Sequence, residues 1–237
     1  MNFNYKNTYF LSAIAFIAII IFLFDPIIFG AKLFGSPDSL SPRSVAMALN
    51  KASEGIGGYP LWQPWVFSGM PTAESFSYLS KLYFPEYIFK FFSLSGSTIQ
   101  FIHLIFSGLG CMILLRELLC SRTASFLGAI AYMTTPFMIT MAVFGHGSQL
   151  MTAAYIPWAL WLSIKSWEKP SLINTGSLAL VLGFQLQRAH AQIAYYTWLL
   201  IGLYFLIMLA YSIKEKNEKL IISKKLLYIL IACILGI

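Results

Sequence analysis

Long apolar stretches with very few charges constrain this chain more than any other feature of its sequence. Hydrophobic residues make up 58% of the 237 residues and charged residues only 11%, whereas a typical soluble domain carries about 25% charged residues. This composition argues against a water-soluble fold. It predicts an all-α integral membrane protein, in which each helix crosses the bilayer with about 20 apolar residues.

Hydropathy divides the chain into about seven apolar segments. The first follows a short stretch with Lys6. Asp25, Pro26 and two more apolar residues come after it without a clear small-x-small cleavage site, so we interpret it as an uncleaved helix and not as a signal peptide. The last holds only about a dozen residues, too few to cross a bilayer. We therefore interpret residues 1–237 as the amino-terminal part of a longer polytopic domain that ends inside its seventh helix. The segments cover about 9–24, 97–115, 124–144, 150–164, 172–186, 193–213 and 226–237.

Lysine and arginine residues indicate how these segments are oriented. Ten of the sixteen fall on one side of the alternating plan, mostly in short loops, and basic short loops stay in the cytoplasm. The amino terminus is therefore predicted to be cytoplasmic, with a long first extracytoplasmic loop over about 31–96. This distribution explains the net charge of +7 by topology, so nucleic-acid binding is not expected. The ten are Lys6, Arg116, Arg122, Lys165, Lys169, Lys214, Lys216, Lys219, Lys224 and Lys225.

Polar residues capable of chemistry collect on the predicted external side. Asp38 follows the first segment, and a carboxylate at the membrane surface can act as a general base on a hydroxyl group. A cationic arginine and two histidines lie in two later turns, where they can offset phosphate charge. A third histidine lies about two turns into the second segment, toward the same side. Since polar groups near membrane depth are costly and tend to be kept for function, we predict a one-sided site. These cationic and imidazole residues are Arg188, His190, His146 and His103.

Each of these residues also has a structural interpretation, which the sequence leaves open. A histidine at a helix end commonly meets water or headgroups, and Arg188 can anchor a helix by reaching lipid phosphate. Trp62 and Trp158 can belong to an aromatic belt at the membrane interface. Gly108 and Gly110 indicate close helix packing. Because the three cysteines lie in or beside apolar runs and no Cys/His spacing resembles a zinc site, neither a disulfide nor a metal or other cofactor is expected.

Several sequence elements, in the same order, resemble those of the YfhO-type family of bacterial membrane proteins. The PLW at 60–62 with the FSGMP at 67–71 is similar to the family's first external loop, in which Asp38 takes the place of the loop aspartate. The Gly-His turn with the AYIPW at 154–158, and the RAHAQIAYY at 188–196, are similar to two later elements. The chain departs from many relatives at Gln149, where they carry a basic residue.

The resemblance implies a fold similar to the GT-C glycosyltransferases, multi-helix enzymes that use lipid-phosphate-linked sugars. It implies a protein of the bacterial inner (cytoplasmic) membrane, surrounded by membrane lipids, that moves a sugar from a polyprenyl-phosphate carrier to a cell-envelope glycan or lipid acceptor on the extracytoplasmic side. Asp38 would be the catalytic residue. The residues expected to bind substrate are Arg188, His190, His146, Gln192, Tyr195 and Trp62.

Two other functions remain open at this point. A transporter or lipid flippase would use the same polar residues to line a pathway, but such proteins often show internal repeats and midplane polar groups. The sequence shows no clear repeat, and its polar groups cluster at one face, which favours the enzyme. A non-catalytic membrane scaffold would bind a partner through the long loop and would tolerate loss of the Asp38 carboxylate.

Overall fold

The computed structural model describes residues 5–30, 32, 34, 37–65, 67–72, 83–188, 190–215 and 219–236, which are mostly α-helical. Two short strands pair antiparallel in a small ribbon. The elements are α1 (Tyr5–Ile28), α2 (Pro37–Ile56), β1 (Trp62–Gln63), β2 (Met70–Pro71), α3 (Pro85–Phe91), α4 (Gly96–Glu117), α5 (Arg122–Met133), α6 (Pro136–Val143), α7 (Gly147–Ala154), α8 (Ile156–Glu168), α9 (Leu172–Gln187), α10 (Ala191–Lys214) and α11 (Lys219–Leu235).

Four helical stretches in the described part are long and apolar enough to cross a membrane. The prediction of an all-α membrane protein is confirmed at this level. Of the remaining predicted segments, α9 is apolar with 16 residues and α11 has 17, while the segment at 150–164 is interrupted. The four stretches are Thr8–Ile28, Gly96–Glu117, Arg122–Val143 and Ala191–Lys214.

The interruption lies at Tyr155, between α7 and α8. Pro157 near the start of α8 has no N–H to donate, so the carbonyl of Ala153 loses its helical partner. The hydroxyl of Tyr132 donates a hydrogen bond of 3.0 Å to that carbonyl instead. The break therefore costs little backbone hydrogen bonding, and it turns Tyr155 into the protein interior, where the residue is 5% exposed.

The long predicted loop over 31–96 has its own structure. Its first part forms α2, because residues 44–54 include alanine, methionine, leucine, lysine and glutamate, which favour helices. Pro37 suits the first helical position, where no N–H is needed. Asp38 is the second residue of α2, and its side chain lies outside the part that the structure describes.

Helix α4 occupies the centre of the bundle, where it packs against α1, α5, α7 and α8. Phe16 of α1, Leu104 of α4 and Met133 of α5 are fully buried in the shared core. A methyl group added at Gly108 would lie 2.9 Å from the sulfur of Met133, closer than van der Waals contact allows. The prediction that this glycine serves close helix packing is confirmed.

Gly110 is expected to be intolerant of even one added methyl group. Its Cα faces the indole of Trp158, which is held in place because it donates a hydrogen bond of 2.9 Å to the carbonyl of Phe106 and stacks on that ring. Gly110→Ala should lower the free energy of unfolding by about 1–3 kcal/mol, measured by denaturant titration in detergent micelles. Gly202→Ala is the matched control: nothing lies within 4 Å of that position, so stability should be unchanged or higher. Equal effects of the two substitutions would contradict the packing role.

Candidate functional site

Arg188 is a buried arginine at the turn between α9 and α10. It is the carboxyl-terminal cap of α9, and its backbone N–H donates to the carbonyl of Phe184 at 3.2 Å. A cation at this end of a helix is favoured by the helix dipole. The residue is only 6% exposed, so the arginine is not a surface anchor of the kind that reaches into water or headgroups.

Two side chains from the segment before α4 hold the guanidinium. Its central carbon lies 4.4 Å from the centre of the Tyr83 ring, a cation–π contact. Its Nη1 lies 3.7 Å from Oε2 of Glu86, which is an ion pair too long for a good hydrogen bond. Burial lowers the pKa of Arg188, while Tyr83 and Glu86 act in the opposite direction. The group remains charged because its ordinary pKa is far above neutral.

Some N–H groups of the guanidinium are not used in hydrogen bonds within the described part of the chain. Among the described residues, its Nε and Nη1 atoms have no hydrogen-bond partner although both are buried. Leaving buried donors unpaired costs about 1–3 kcal/mol each. An arginine N–H group that lacks a partner can donate a charge-assisted hydrogen bond to an oxygen of a phosphate or carboxylate. Within the described part of the chain, Arg188 therefore has the charge and the unpaired donors to bind such an anion.

Tyr83 joins Arg188 to a buried chain of hydrogen bonds. Its hydroxyl lies 2.5 Å from the hydroxyl of Tyr155 and 3.3 Å from Nε2 of His103. Nδ1 of His103 donates to the carbonyl of Ile99 at 2.7 Å, so in the neutral imidazole Nε2 is the acceptor. Tyr83 then donates to His103, and Tyr155 donates to Tyr83. Burial raises the pKa of the Tyr83 hydroxyl, which keeps it protonated.

An apolar groove opens beside this network, between α3, α4 and α9. Its volume is about 320 Å³, and Tyr83, His103 and Tyr155 form its polar edge. The rest of the lining is apolar, from Phe89, Ile102, Phe106, Leu180, Val181 and Phe184. Because Tyr83 contacts both the groove and Arg188, a cation lies next to a surface suited to a hydrocarbon chain.

Gln185 fixes the turn that carries Arg188. It is fully buried one turn earlier in α9. Its Nε2 donates to the carbonyl of Thr152 at 3.2 Å and to the hydroxyl of Thr197 at 2.9 Å. These bonds tie α9 to α7 and α10, which are the helices that begin at the two histidine turns. The position of Arg188 is thus set by three helices at once.

The two histidine turns meet at the same end of the bundle. His190 is the amino-terminal cap of α10, and its Nδ1 accepts from the backbone N–H of Ile193 at 3.3 Å. His146 precedes α7 and is close enough to act on His190 electrostatically. A joint role of the two imidazoles at a substrate site stays a prediction.

His190 is expected to titrate below its ordinary pKa of about 6.5. Burial lowers the pKa of His190 and a hydrogen bond with its own backbone raises it, while the electrostatic effect of His146 lowers it further. The folded state thus favours neutral His190, so its contribution to stability is complete above pH 6.5 and is lost as the pH falls through the lowered pKa. Proton NMR titration in micelles should show that His146→Asn raises the pKa of His190, whereas Gln192→Ala does not. An unchanged pKa in His146→Asn would contradict the coupling.

The other predicted residues lie outside this contact network as it is described. Gln192 donates to the hydroxyl of Tyr196 at 2.9 Å on the exposed side of α10, and Tyr195 on the same helix is 60% exposed. Trp62 packs over Gly69 inside the ribbon. Asp38 is in α2, and the placement of its side chain relative to Arg188 lies outside the described residues.

The sequence did not assign three residues that complete the site, Tyr83, Glu86 and Tyr155. Tyr155 belongs to the AYIPW element, and Glu86 is a carboxylate of the predicted loop over 31–96, but no pattern in the sequence indicated a role for either. Tyr83 belongs to no motif that would single it out. Their meeting depends on a contact between positions 72 residues apart, which one sequence does not reveal.

A different polar cluster lies at the opposite end of α4. Lys165 pairs with Glu117 at 2.6 Å, and Trp161 donates to the same carboxylate at 3.3 Å. Asn174 at the start of α9 donates to the carbonyl of Lys169 at 2.7 Å. Helices α4 and α9 therefore run between this basic end and the end with Arg188, so these ion pairs form two separated sets.

Among the described residues, no group of three or more His, Cys, Asp or Glu side chains is arranged to hold a metal ion. Comparison of the chain with protein-family models, with curated proteins and with solved structures gives no match.

Proposed function

We propose that this chain is part of a GT-C-like membrane glycosyltransferase of the YfhO type, which transfers a sugar from a polyprenyl-phosphate carrier to a cell-envelope acceptor. The observation that carries the proposal is Arg188: a buried guanidinium with unpaired N–H groups beside an apolar groove. A polyprenyl phosphate combines an anion with a long hydrocarbon chain, and this pair of features suits both parts.

In the proposed reaction, a hydroxyl oxygen of the acceptor attacks the anomeric carbon of the carrier-linked sugar. The bond from that carbon to the phosphate oxygen breaks, and the polyprenyl phosphate leaves with the electron pair. Asp38 takes the proton of the acceptor hydroxyl. Arg188 stabilises the charge that develops on the leaving phosphate, and the residues around it exclude water from the carrier.

The same proposal includes a seven-segment topology, an amino terminus in the cytoplasm and a location in the bacterial inner membrane, with the site outside. The separation of Arg188 from the Lys165 cluster supports a one-sided site over a transporter. A pathway for transport would need polar groups near the midplane, whereas the described ion pairs lie toward the two ends of α4 and α9.

The test is Asp38→Asn in the full-length gene, with envelope glycan composition as the measurement. We expect the transferred sugar to be lost while the protein level in the membrane is unchanged, because the amide cannot accept the proton. Asp25→Asn is the matched control: it removes a carboxylate near the carboxyl-terminal end of α1 and should leave the glycan intact. Normal glycosylation in Asp38→Asn would exclude the catalytic role and favour the scaffold.

A further inference from the structure

A second cavity, of about 310 Å³, lies between α1 and α4. Isoleucines from both helices form most of its wall, and a lysine and hydroxyl groups lie at one end. We call this cavity the isoleucine groove. The residues that matter for its chemistry are Ile17, Ile21 and Ile105 on the wall, and Lys32, Ser97 and Thr98 at the polar end.

The isoleucine groove changes from polar to apolar along its length. Lys32 follows the carboxyl-terminal end of α1, and Thr98 is in the first turn of α4. Ile105 lies seven residues beyond Thr98, which is about 10 Å along a helix. A polar group at one end and an apolar wall that continues about 10 Å deeper match the headgroup and acyl chain of a lipid.

The positive charge of Lys32 favours anionic lipids over neutral ones in the isoleucine groove. Its lining, within the part of the chain that the structure describes, includes one cation and no carboxylate. Lys32 is exposed, and no described carboxylate lies within ion-pair distance of it. An apolar helix placed here would leave the ammonium facing hydrocarbon, which is costly, whereas the hydroxyl of Thr98 already hydrogen-bonds that of Ser95 at 2.8 Å. An anionic headgroup would neutralise the ammonium.

We propose that the isoleucine groove binds an anionic phospholipid of the surrounding bilayer. The lipid phosphate lies at Lys32, Ser97 and Thr98, and one acyl chain lies along Ile17, Ile21 and Ile105. This site is separate from Arg188, so the inference stands or falls independently of the proposed glycosyltransferase.

The test is native mass spectrometry of the detergent-purified chain, titrated with phosphatidylglycerol and with phosphatidylcholine of the same acyl chains. Phosphatidylglycerol should bind more tightly. Lys32→Gln should weaken its binding about fivefold, the value of one lysine near an anionic surface, and leave phosphatidylcholine unchanged. Lys51→Gln removes an exposed lysine of α2 and should change neither lipid. Since Lys32 is exposed, its replacement leaves the fold intact.

A second variant separates the isoleucine groove from nonspecific attraction. Ile21→Trp fills the space and should reduce binding of both lipids, with circular dichroism as the check on folding. Equal affinity for the two lipids, or equal losses in Lys32→Gln and Lys51→Gln, would overturn the proposal. It would also be overturned if Ile21→Trp changed the oligomeric state instead of lipid binding, or if polyprenyl phosphate displaced phosphatidylglycerol.

Discussion

Arg188→Ala is expected to lower kcat/KM for the lipid-phosphate donor by about 100-fold or more. In the proposed reaction, the guanidinium donates two charge-assisted hydrogen bonds to the leaving phosphate, each contributing about 1.5–3 kcal/mol, and tenfold in rate corresponds to about 1.4 kcal/mol. Arg188→Lys keeps the charge but loses the planar fork, so its activity should fall between those of the alanine variant and the unaltered protein. The measurement is sugar transfer from a polyprenyl-phosphate donor by the full-length protein in detergent or nanodiscs.

The control for this prediction is an arginine at the other end of α4. Arg116 donates to the carbonyl of Cys120 at 2.6 Å, in the basic set that includes Lys165, and Arg116→Ala should leave donor use unchanged. If Arg188→Ala retained the kcat/KM of the unaltered protein, the guanidinium would be a structural group only. The role assigned to the phosphate would then be wrong.

Tyr83→Ala is expected to reduce the free energy of unfolding by about 3–5 kcal/mol. The ring is 1% exposed, and its removal leaves a cavity and takes away the cation–π contact with Arg188. The substitution also breaks the hydrogen bonds to Tyr155 and His103. Tyr83→Phe keeps the ring and the cation–π contact, so it should cost only about 1–3 kcal/mol, the penalty for unpaired buried partners.

Denaturant titration of the purified chain in micelles, followed by circular dichroism, measures both variants. A cost for Tyr83→Phe equal to that of Tyr83→Ala would mean that the hydroxyl network, and not the ring, supports Arg188. A negligible cost for both would show that this buried cluster contributes little to the fold.

The helices were predictable because apolar runs of membrane length admit few alternatives. The predicted segment at 193–213 corresponds to α10, which begins two residues earlier, at Ala191 directly after its His190 cap, and ends one residue later. The segment at 150–164 was less predictable, since its interruption at Tyr155 depends on one proline and on Tyr132 from another helix. Helix α2 was predicted as loop, because its helix-favouring residues lie among serines and prolines in a polar part of the sequence.

The site was predictable only as a set of polar residues at one end of the bundle. The turn position of Arg188 suggested phosphate binding, and the pair of His146 and His190 followed from two turns on the same face. Burial of Arg188 and its contact with Tyr83 depend on how α3, α4 and α9 pack in three dimensions, which hydropathy does not encode. The exposed positions of Gln192 and Tyr195 follow from the face of α10 that they occupy.

Binding of a polyprenyl phosphate to the purified chain is the decisive measurement of whether Arg188 recognises the phosphate of the carrier lipid. Undecaprenyl phosphate and the neutral alcohol undecaprenol share the same hydrocarbon chain, so the difference between their affinities isolates the phosphate. We expect tighter binding of the phosphate to the unaltered protein, and loss of that preference in Arg188→Ala with binding of the alcohol unchanged. Equal affinities for the two lipids, or a preference that survives in Arg188→Ala, would contradict it.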